Sequence, residues 1–361
     1  MKYKKILIST GGTGGHVFPA YSLAKYCLKK DFLVEVITDN RGLRYLKNFD
    51  NLSLKVINSS TIFNKNPFLV LISIFKILIA FIKSIVTLIK LRPKLVIGMG
   101  GYSSFPVCIA AKTLAIPFVI YENNLFLGKA NRYLLPYAKK LFVAYSDLEG
   151  VEKKYKKKVI KIGNLIREDI FNLKTSKINL SSEEINILVL GGSQAAKSFA
   201  EKLPEIFKKC YNENIKVNVI QQCLIEQQTK LKNDYELFNI KCEIFNFSYN
   251  LFDYFKKTDI AITRSGASML AELLNCNIPF ISVPLPSSAD NHQLKNAEYF
   301  EKKGYGLLIE ENKIETNLFQ LIKSIHKDKS ILNEIKNKQT NHSDKEVFKN
   351  IYNQIEILIN D

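Results

Sequence analysis

The chain has 361 residues, enough for about two domains of ordinary size. Hydrophobic residues make up 47% and aromatic residues 11%, a content that supports buried cores and excludes a disordered chain. The net charge of +18 favours acidic partners such as phosphates, anionic lipids or nucleic acid, but charge alone does not choose among them.

The six cysteines are scattered without a Cys-x-x-Cys pair, so the sequence predicts neither a zinc site nor a disulfide framework. The lysine-rich N-terminus is followed by too few apolar residues for a signal peptide. Both features favour a reducing cytoplasm.

Short β-branched runs alternate with helix-length segments along the whole chain. The runs are continuously apolar, which is typical of parallel sheets covered by helices on both faces. We predict strands at residues 4–9, 33–38, 95–98, 118–121, 141–144, 159–162, 187–190, 217–221, 243–247, 260–263, 280–283 and 306–309.

The two halves of the chain begin alike. Residues 6–13 and 187–193 both run from a strand into a Gly-Gly-hydroxyl turn and then a helix. We therefore predict an α/β protein of two doubly wound parallel-sheet domains, with the boundary near residues 163–167. An amphipathic final helix at residues 347–358 is expected, on fold analogy, to pack back on the first domain.

The first glycine turn, Gly11-Gly-Thr-Gly-Gly-His16, follows a strand and opens a helix. Glycines allow close backbone approach to a ligand and leave helix N–H groups aimed at negative charge. His16 is placed to orient a phosphate or to accept a proton. A dinucleotide site is the rival interpretation, because Asp39 ends the second strand where a ribose-binding acid would lie, but the run is not Gly-x-Gly-x-x-Gly.

Pro67–Leu91 is the most apolar segment, and its interior lysines nearly offset its insertion energy, so hydropathy leaves a spanning helix undecided. At about 100° per residue, its polar side chains share an arc of roughly 120°: Ser73, Lys76, Lys83, Ser84, Thr87 and Lys90. Large apolar side chains lie opposite: Leu71, Ile74, Leu78, Phe81, Ile85 and Ile89. We predict an amphipathic helix at an anionic membrane surface, and a helix buried on two sides is the alternative.

Two more glycine turns follow predicted strands. Gly98-Met-Gly-Gly-Tyr102 is either a second backbone surface for phosphate or a tight turn before a helix. Gly191-Gly-Ser193-Gln194 puts a hydroxyl at a helix start, where it is most often an N-cap and, facing a cleft, would also bind a diphosphate.

Arg264 is predicted at the C-terminal end of a strand, where ligands of open α/β sheets bind. Gly266 and Ala267 leave the next helix N-terminus accessible, and its dipole favours phosphate by about 0.3–1 kcal/mol. Ser268 and Glu272 are four residues apart and share a helix face. The carboxylate suits a ribose diol, and a surface Glu paired with Arg264 is the alternative.

A polar, proline-bounded loop at residues 284–293 follows another strand and leads into a helix. Its amides and imidazole are good partners for sugar hydroxyls, and they are also ordinary loop residues.

In their order along the chain, these motifs resemble the MurG family of bacterial peptidoglycan N-acetylglucosaminyltransferases. The matching segments are residues 12–19, 98–102, 122–124, 163–167, 191–194, 264–272 and 292–297. The resemblance implies the GT-B fold, with two Rossmann-like domains facing a cleft. Residues 1–164 with 343–361 would form the acceptor- and membrane-binding domain, and residues 165–342 the donor domain.

The resemblance also implies an activity. The enzyme would transfer GlcNAc, with inversion, from UDP-GlcNAc to the muramyl C4 hydroxyl of lipid I, giving lipid II. It would act as a peripheral protein at the cytoplasmic face of the inner membrane, without a metal or a cofactor and without a nucleic-acid partner.

Site residues follow from the resemblance position by position. Glu272 would hold the ribose, Gln293 the GlcNAc, and Arg264 would neutralise the diphosphate. Ser248 aligns with an isoleucine usual at the uracil site, where a backbone contact would survive the change. The implied donor contacts are Thr13, Gly14, Gly15, Asn124, Arg167, Ser193, Ser248, Arg264, Ala267, Ser268, Met269, Leu270, Ala271, Glu272 and Gln293. The implied acceptor contacts are Gly98, Gly100, Gly101 and Tyr102.

Three positions depart from the family pattern: Tyr121 replaces a His, Leu165 a Pro and Ala195 a Gly. Tyr121 is not expected to act as a base near neutral pH, because the ordinary pKa of tyrosine is near 10.

The expected mechanism is a direct displacement at the anomeric carbon. His16 is the first candidate for the base that deprotonates the acceptor, because its reference pKa lies near neutrality, and Glu122 is the second. Helix N-termini and Arg264, rather than a metal, would stabilise the leaving group.

Three alternatives remain at this point. One is a GT-B enzyme with a different glycolipid or small acceptor. Another is a nicotinamide-dependent oxidoreductase that uses residues 11–15 and Asp39. The third is a basic nucleic-acid binder, which no basic-aromatic motif supports.

Overall fold

The computed structural model describes residues 4–47, 52–61, 66–173, 183–192, 197–248 and 250–360. The chain divides into two compact units. The first consists of Met1–Arg167 together with Asp344–Asp361, and the second of Glu168–Ser343.

The first unit alternates strands with helices around one parallel sheet. In chain order its elements are β1 (Lys5–Ser9), α1 (Gly14–Leu28), β2 (Leu33–Thr38), α2 (Asn40–Leu46), β3 (Ser53–Val56), α3 (Pro67–Leu91), β4 (Leu95–Gly98), α4 (Gly101–Thr113), β5 (Phe118–Glu122), α5 (Lys129–Leu134), β6 (Leu141–Val143) and β7 (Val159–Lys161). The strand order is β3-β2-β1-β4-β5-β6-β7. It reverses between β1 and β4, and open α/β sheets bind ligands at such a switch point, outside the carboxyl ends of the strands.

The second unit repeats this plan. Its elements are β8 (Glu184–Leu190), α6 (Lys197–Asn212), β9 (Lys216–Gln222), α7 (Gln228–Glu236), β10 (Lys241–Phe245), α8 (Phe252–Lys257), β11 (Ile260–Arg264), α9 (Ala267–Asn275), β12 (Phe280–Val283), α10 (His292–Lys302), β13 (Leu307–Leu308), α11 (Phe319–Lys327) and α12 (Ser330–Gln339). The strand order is β10-β9-β8-β11-β12-β13, so the switch point lies between β8 and β11. The predicted fold class of two doubly wound parallel-sheet units is confirmed.

Continuously apolar strands form the sheet centres, as expected for strands covered on both faces. In β1, for example, Ile6, Leu7 and Ile8 are fully buried. Strand β3 was not predicted from the sequence. Its Ser-Leu-Lys-Val segment lies at a sheet edge and is largely exposed. An edge strand needs no continuous apolar run, so the pattern used to find the other strands does not detect it.

The last helix, α13 (Val347–Asn360), belongs to the first unit. The ring of Phe348 stacks on Tyr26 at 5.0 Å between centroids. Tyr352 meets Phe32 edge to face at 6.0 Å. The buried Phe348 and the half-buried Tyr352 therefore attach α13 to the first unit.

The chain segments that enter and leave the second unit are tied to each other within the first unit. The backbone N–H of Asn164 donates to Asp344 Oδ1 (3.0 Å), and its side-chain amide donates to Oδ2 (3.0 Å). The Tyr121 hydroxyl donates to the Gly163 carbonyl (3.3 Å) and accepts from the Leu165 N–H (3.1 Å). Burial raises the pKa of Tyr121, so its hydroxyl stays protonated and anchors the chain.

Helix α3 does not divide into the two faces that its sequence pattern suggests. Ser73 and Ser84, assigned to the polar arc, are buried together with Ala80 and Leu88. Ala80 and Leu88 share a core cluster with side chains of α4. The Ser73 hydroxyl accepts a hydrogen bond from Ser60 at 3.1 Å, and the Ser84 hydroxyl donates to the Ala80 carbonyl at 2.7 Å. The predicted polar arc is therefore wrong for these two serines.

The face of α3 opposite these serines is apolar and exposed. The exposed large apolar side chains of α3 are Phe68, Leu69, Leu71, Ile74, Phe75, Leu78, Ile79, Ile82, Val86 and Ile89, and of these Leu69 lies on the side of Ser73. By length and composition α3 is able to cross a membrane, with a mean hydropathy of 2.5 in its most apolar window and 17% of that window buried. One such helix is weak evidence for a span.

Candidate active site

The two glycine turns at the switch point of the first unit meet at His16. Gly100 (φ +86°) and Gly101 (φ +74°) adopt left-handed conformations that favour glycine. A Cβ atom at Gly100 would lie 3.1 Å from His16 Cε1, and one at Gly101 would lie 3.4 Å from Cδ2. The half-buried imidazole therefore lies against the backbone of the second turn, and the structure brings His16 and residues 98–102 together.

The first turn is held by Asp39. Its Oδ1 accepts hydrogen bonds from the backbone N–H groups of Gly12 (2.9 Å) and Gly42 (2.8 Å). Its Oδ2 accepts from Arg41 Nε (3.0 Å) and Nη2 (2.8 Å). Burial opposes ionisation of Asp39, but these bonds outweigh it and lower its pKa. Both oxygens thus bind the protein itself, which disfavours the ribose-binding role of the dinucleotide interpretation.

The donor contacts expected on this turn surround the start of α1. Thr13 is the N-cap residue, is exposed, and makes no side-chain capping bond. Gly14 is buried and Gly15 half-buried, and the Gly15 carbonyl accepts a hydrogen bond from the Asn123 side chain at 3.0 Å. The end of β5 and the start of α1 are therefore connected directly.

Glu122, the second candidate base, is buried at the end of β5. Its Oε1 accepts from the backbone N–H (3.1 Å) and side-chain amide (2.8 Å) of Asn124. Its Oε2 accepts from the Gly128 N–H (3.0 Å) and the Asn131 amide (3.0 Å). These four bonds shape the loop between β5 and α5 and orient Asn124. The role of either candidate base, His16 or Glu122, stays a prediction.

At the switch point of the second unit, two glycines have free space beside them in the part of the chain that the structure describes. A Cβ atom at Gly192 (φ +74°) or at Gly266 would meet no atom of the described residues within 4 Å. The Gly191 N–H donates to the Gln222 side chain at 3.2 Å, which fixes the start of the turn. Ser193 and Ala195, named in the sequence analysis, lie outside the described residues.

Helix α9 begins at this switch point with Gly266 as its N-cap, a residue that has no side chain with which to cap the helix. Ser268 and Met269 are half-buried, whereas Leu270 and Ala271 are fully buried. Glu272 is only 6% exposed. The alternative of a surface Glu paired with Arg264 is therefore wrong, since Glu272 is buried and the carboxylate beside Arg264 is that of Glu311.

Arg264 ends β11 and is 7% exposed. Its guanidinium pairs with Glu311 at 2.6 Å and donates to the Ser198 hydroxyl at 2.8 Å. It also donates to the carbonyls of Val283 (3.3 Å) and Pro284 (3.4 Å). A direct contact with a diphosphate stays a prediction, because the contacts present are all with neighbouring segments of the second unit.

Gln293 and Asn296, on α10, fix the loops around α9. Gln293 Oε1 accepts from the Leu285 N–H at 2.9 Å. The buried Asn296 amide donates to the Ser265 carbonyl at 3.1 Å, directly before α9. Asn296 was not among the expected site residues, although it lay in a matching segment, because an amide that shapes a turn has no chemical signature of its own.

Two expected donor contacts remain, Ser248 and Arg167. Ser248 follows β10, and its hydroxyl donates to the Asn250 carbonyl at 2.8 Å. Arg167 is half-buried at the end of the first unit. Within the described part of the chain, no group of three or more His, Cys, Asp and Glu side chains is arranged to hold a metal ion.

Comparison with known proteins identifies a family for both units of the chain. Residues 6–143 match the N-terminal domain of glycosyltransferase family 28, and residues 186–354 match its C-terminal domain. A UDP-N-acetylglucosamine–N-acetylmuramyl-(pentapeptide) pyrophosphoryl-undecaprenol N-acetylglucosamine transferase from Pelagibacter ubique is 35% identical over 99% of this chain and 98% of its own length. A protein of the same name from Rickettsia felis is 36% identical over 86% of this chain and 87% of its own.

A solved structure has the same fold over both units. The crystal structure of Acinetobacter baumannii MurG matches with a TM-score of 0.76 and 25% sequence identity. The match covers 98% of this chain and 99% of that one.

Proposed function

The chain belongs to glycosyltransferase family 28, and from this premise we propose that it transfers GlcNAc from UDP-GlcNAc to lipid I, giving lipid II for peptidoglycan synthesis. Relatives that match it over nearly their full length carry this activity in their names. The structural observation that supports it most is the open N-terminus of α9, which lies between Arg264 and the buried Glu272 at a switch point.

The donor binds at the switch point of the second unit. The N-terminus of α9 faces the diphosphate, because a helix N-terminus attracts negative charge. Glu272 accepts hydrogen bonds from the ribose hydroxyls, and the backbone at Ser248 contacts uracil. Gln293 binds the GlcNAc through its Nε2 group, since its Oε1 is already bonded to Leu285.

The acceptor binds at the switch point of the first unit, against residues 98–102. His16 accepts the proton of the muramyl C4 hydroxyl as that oxygen attacks the anomeric carbon. The bond between this carbon and the UDP oxygen breaks on the opposite side, which inverts the configuration. The α9 N-terminus stabilises the charge that develops on the departing UDP.

The exposed apolar face of α3 places the enzyme at its lipid substrate. An apolar stripe flanked by Lys76, Lys83 and Lys90 suits the boundary of an anionic membrane, with α3 lying in the membrane plane. Because Ala80 and Leu88 are part of the core of the first unit, α3 stays packed on α4 in this arrangement. The protein is therefore peripheral, on the cytoplasmic side of the membrane.

The membrane proposal predicts that the double variant Leu71→Ser/Phe75→Ser binds vesicles containing phosphatidylglycerol at least about tenfold more weakly, because two exposed apolar anchors are lost. These side chains are 65% and 63% exposed, so the fold is expected to survive. Leu237→Ser is the matched control, since Leu237 is 75% exposed in the second unit. Equal sedimentation of all three proteins with vesicles would contradict the proposal.

The activity is tested by following labelled GlcNAc from UDP-GlcNAc into a lipid I analogue. The wild type is expected to form the lipid II analogue, and Glu272→Ala to form it much more slowly. A second acceptor glycolipid in the same assay addresses the alternative of a different acceptor. Preference for that glycolipid would replace lipid I in the proposal, and no transfer to either would refute it.

A further inference from the structure

The buried ion pair between Arg264 and Glu311 lies beside the donor site, and no role in the reaction has been assigned to Glu311 so far. We propose that Glu311 is a positioning residue for the donor. Through Arg264 it holds the start of α6 and the loop after β12 in the arrangement that binds the nucleotide sugar. The inference rests on the proposed function, because the donor is taken to be UDP-GlcNAc.

Besides Glu311, Arg264 contacts two segments around the donor site. Ser198, in the first turn of α6, accepts a hydrogen bond at 2.8 Å. The Phe199 ring lies 4.7 Å from the guanidinium carbon. The carbonyls of Val283 and Pro284, at the end of β12, accept the bonds described above. One side chain thus connects the helix after the Gly191–Gly192 turn with the loop that Gln293 also holds.

Glu311 determines where this guanidinium lies. The Arg264 and Glu311 side chains are 8% and 19% exposed, and they are 2.6 Å apart. A buried arginine needs a compensating negative charge, and leaving it unpaired is strongly unfavourable. Glu311 lies in a short 3₁₀ turn, Glu311–Lys313, after β13, so a segment outside the predicted site fixes the orientation of Arg264 inside it.

The direction of the change in UDP affinity distinguishes this positioning role from direct binding of the diphosphate by Arg264. If Arg264 were itself a diphosphate ligand restrained by Glu311, neutralising Glu311 would release the guanidinium and tighten UDP binding. If the pair positions the surrounding segments, the same change loosens them and weakens UDP binding. The two roles therefore predict opposite changes in the Kd for UDP.

The test compares Glu311→Gln, Ser198→Ala and Glu315→Gln with the wild type, measuring the Kd for UDP by calorimetry and the KM and kcat of GlcNAc transfer. Glu311→Gln is expected to raise the Kd and the KM for UDP-GlcNAc roughly tenfold, with kcat changed less than about twofold. Ser198→Ala removes one hydrogen bond and keeps the ion pair, so a rise of about threefold is expected.

Glu315→Gln is the matched control. Glu315 pairs with Lys202 of α6 at 3.0 Å, but its side chain is 65% exposed. Exposed ion pairs contribute little, so its donor Kd and KM should equal those of the wild type. A rise as large as that of Glu311→Gln would show that any acidic contact to α6 matters, which overturns the specific role of Glu311.

Unchanged or tighter UDP binding in a folded Glu311→Gln protein overturns the positioning role of Glu311. If Glu311→Gln does not fold, Ser198→Ala decides, and wild-type donor KM in that variant overturns the inference. Failure of the wild type to bind UDP or UDP-GlcNAc refutes the proposed function instead, which keeps the two failures distinguishable.

Discussion

At the switch point of the first unit, a Cβ atom at Gly100 would lie 3.1 Å from the His16 ring. At the switch point of the second unit, a Cβ atom at Gly266 would meet no atom of the described residues within 4 Å. The same sheet topology therefore uses glycine in two ways. In the first unit glycine allows the His16 side chain to pack against the backbone. In the second it keeps the approach to a helix N-terminus open.

The two switch points also differ in the polar side chains that shape their loops. In the first unit Asp39 and Glu122 have their carboxylates bonded to backbone and side-chain donors of the surrounding loops. In the second unit the shaping of the loops is done by Gln222, Asn296 and Arg264. We infer that the first switch point serves proton transfer and the second serves binding of the nucleotide sugar, and three substitutions test this division.

The largest effect is expected for His16→Ala. Loss of the base should lower kcat of GlcNAc transfer by roughly 10²–10⁴-fold, with a smaller change in the KM for UDP-GlcNAc. His326→Ala, on α11 of the second unit, is the control and should keep the wild-type kcat. Wild-type turnover of His16→Ala at saturating substrates would remove the base assignment.

An intermediate effect is expected for Glu272→Ala. Loss of hydrogen bonds to a charged acceptor should weaken UDP binding by about 10- to 100-fold. The ribose assignment adds a sharper expectation: the wild type should bind UDP more tightly than 2′-deoxy-UDP, and the variant should bind both alike. A preserved difference between the two nucleotides in Glu272→Ala would place the ribose elsewhere.

The smallest effect, on stability, tests the glycines themselves. Gly100→Ala forces a side chain into a left-handed conformation against His16, so the first unit should lose about 2 kcal/mol of stability. For a unit of this size that lowers Tm by roughly 4–8 °C. Gly266→Ala, with φ −69° and open space, should leave Tm within about 2 °C. Equal Tm values for the two variants would contradict the distinction.

Both switch points could be predicted from the sequence because their signals are local. A strand followed by glycines and a helix is visible in a few consecutive residues, as at residues 6–16 and 260–272. Parallel strands then bring such turns to one edge of the sheet. The position of His16 against Gly100 follows from the same rule, because β1 and β4 are neighbours.

Other features depend on packing between residues that are distant in sequence. The ion pair between Arg264 and Glu311 and the bonds from Asn164 to Asp344 join segments that no sequence pattern relates. On α3, Ser73 and Ser84 look like solvent-facing residues by polarity, yet both are buried, with their hydroxyls bonded to Ser60 and to the Ala80 carbonyl. A pattern based on polarity alone therefore assigned these two serines to the wrong face.

Calorimetric titration of the pure protein with UDP-GlcNAc, repeated with Glu272→Ala and with His16→Ala, tests most directly whether the second unit binds the nucleotide sugar. We expect saturable binding to the wild type, much weaker binding to Glu272→Ala, and nearly wild-type binding to His16→Ala. This assignment would be contradicted if the folded wild type gave no heat of binding, or if His16→Ala lost affinity while Glu272→Ala kept it.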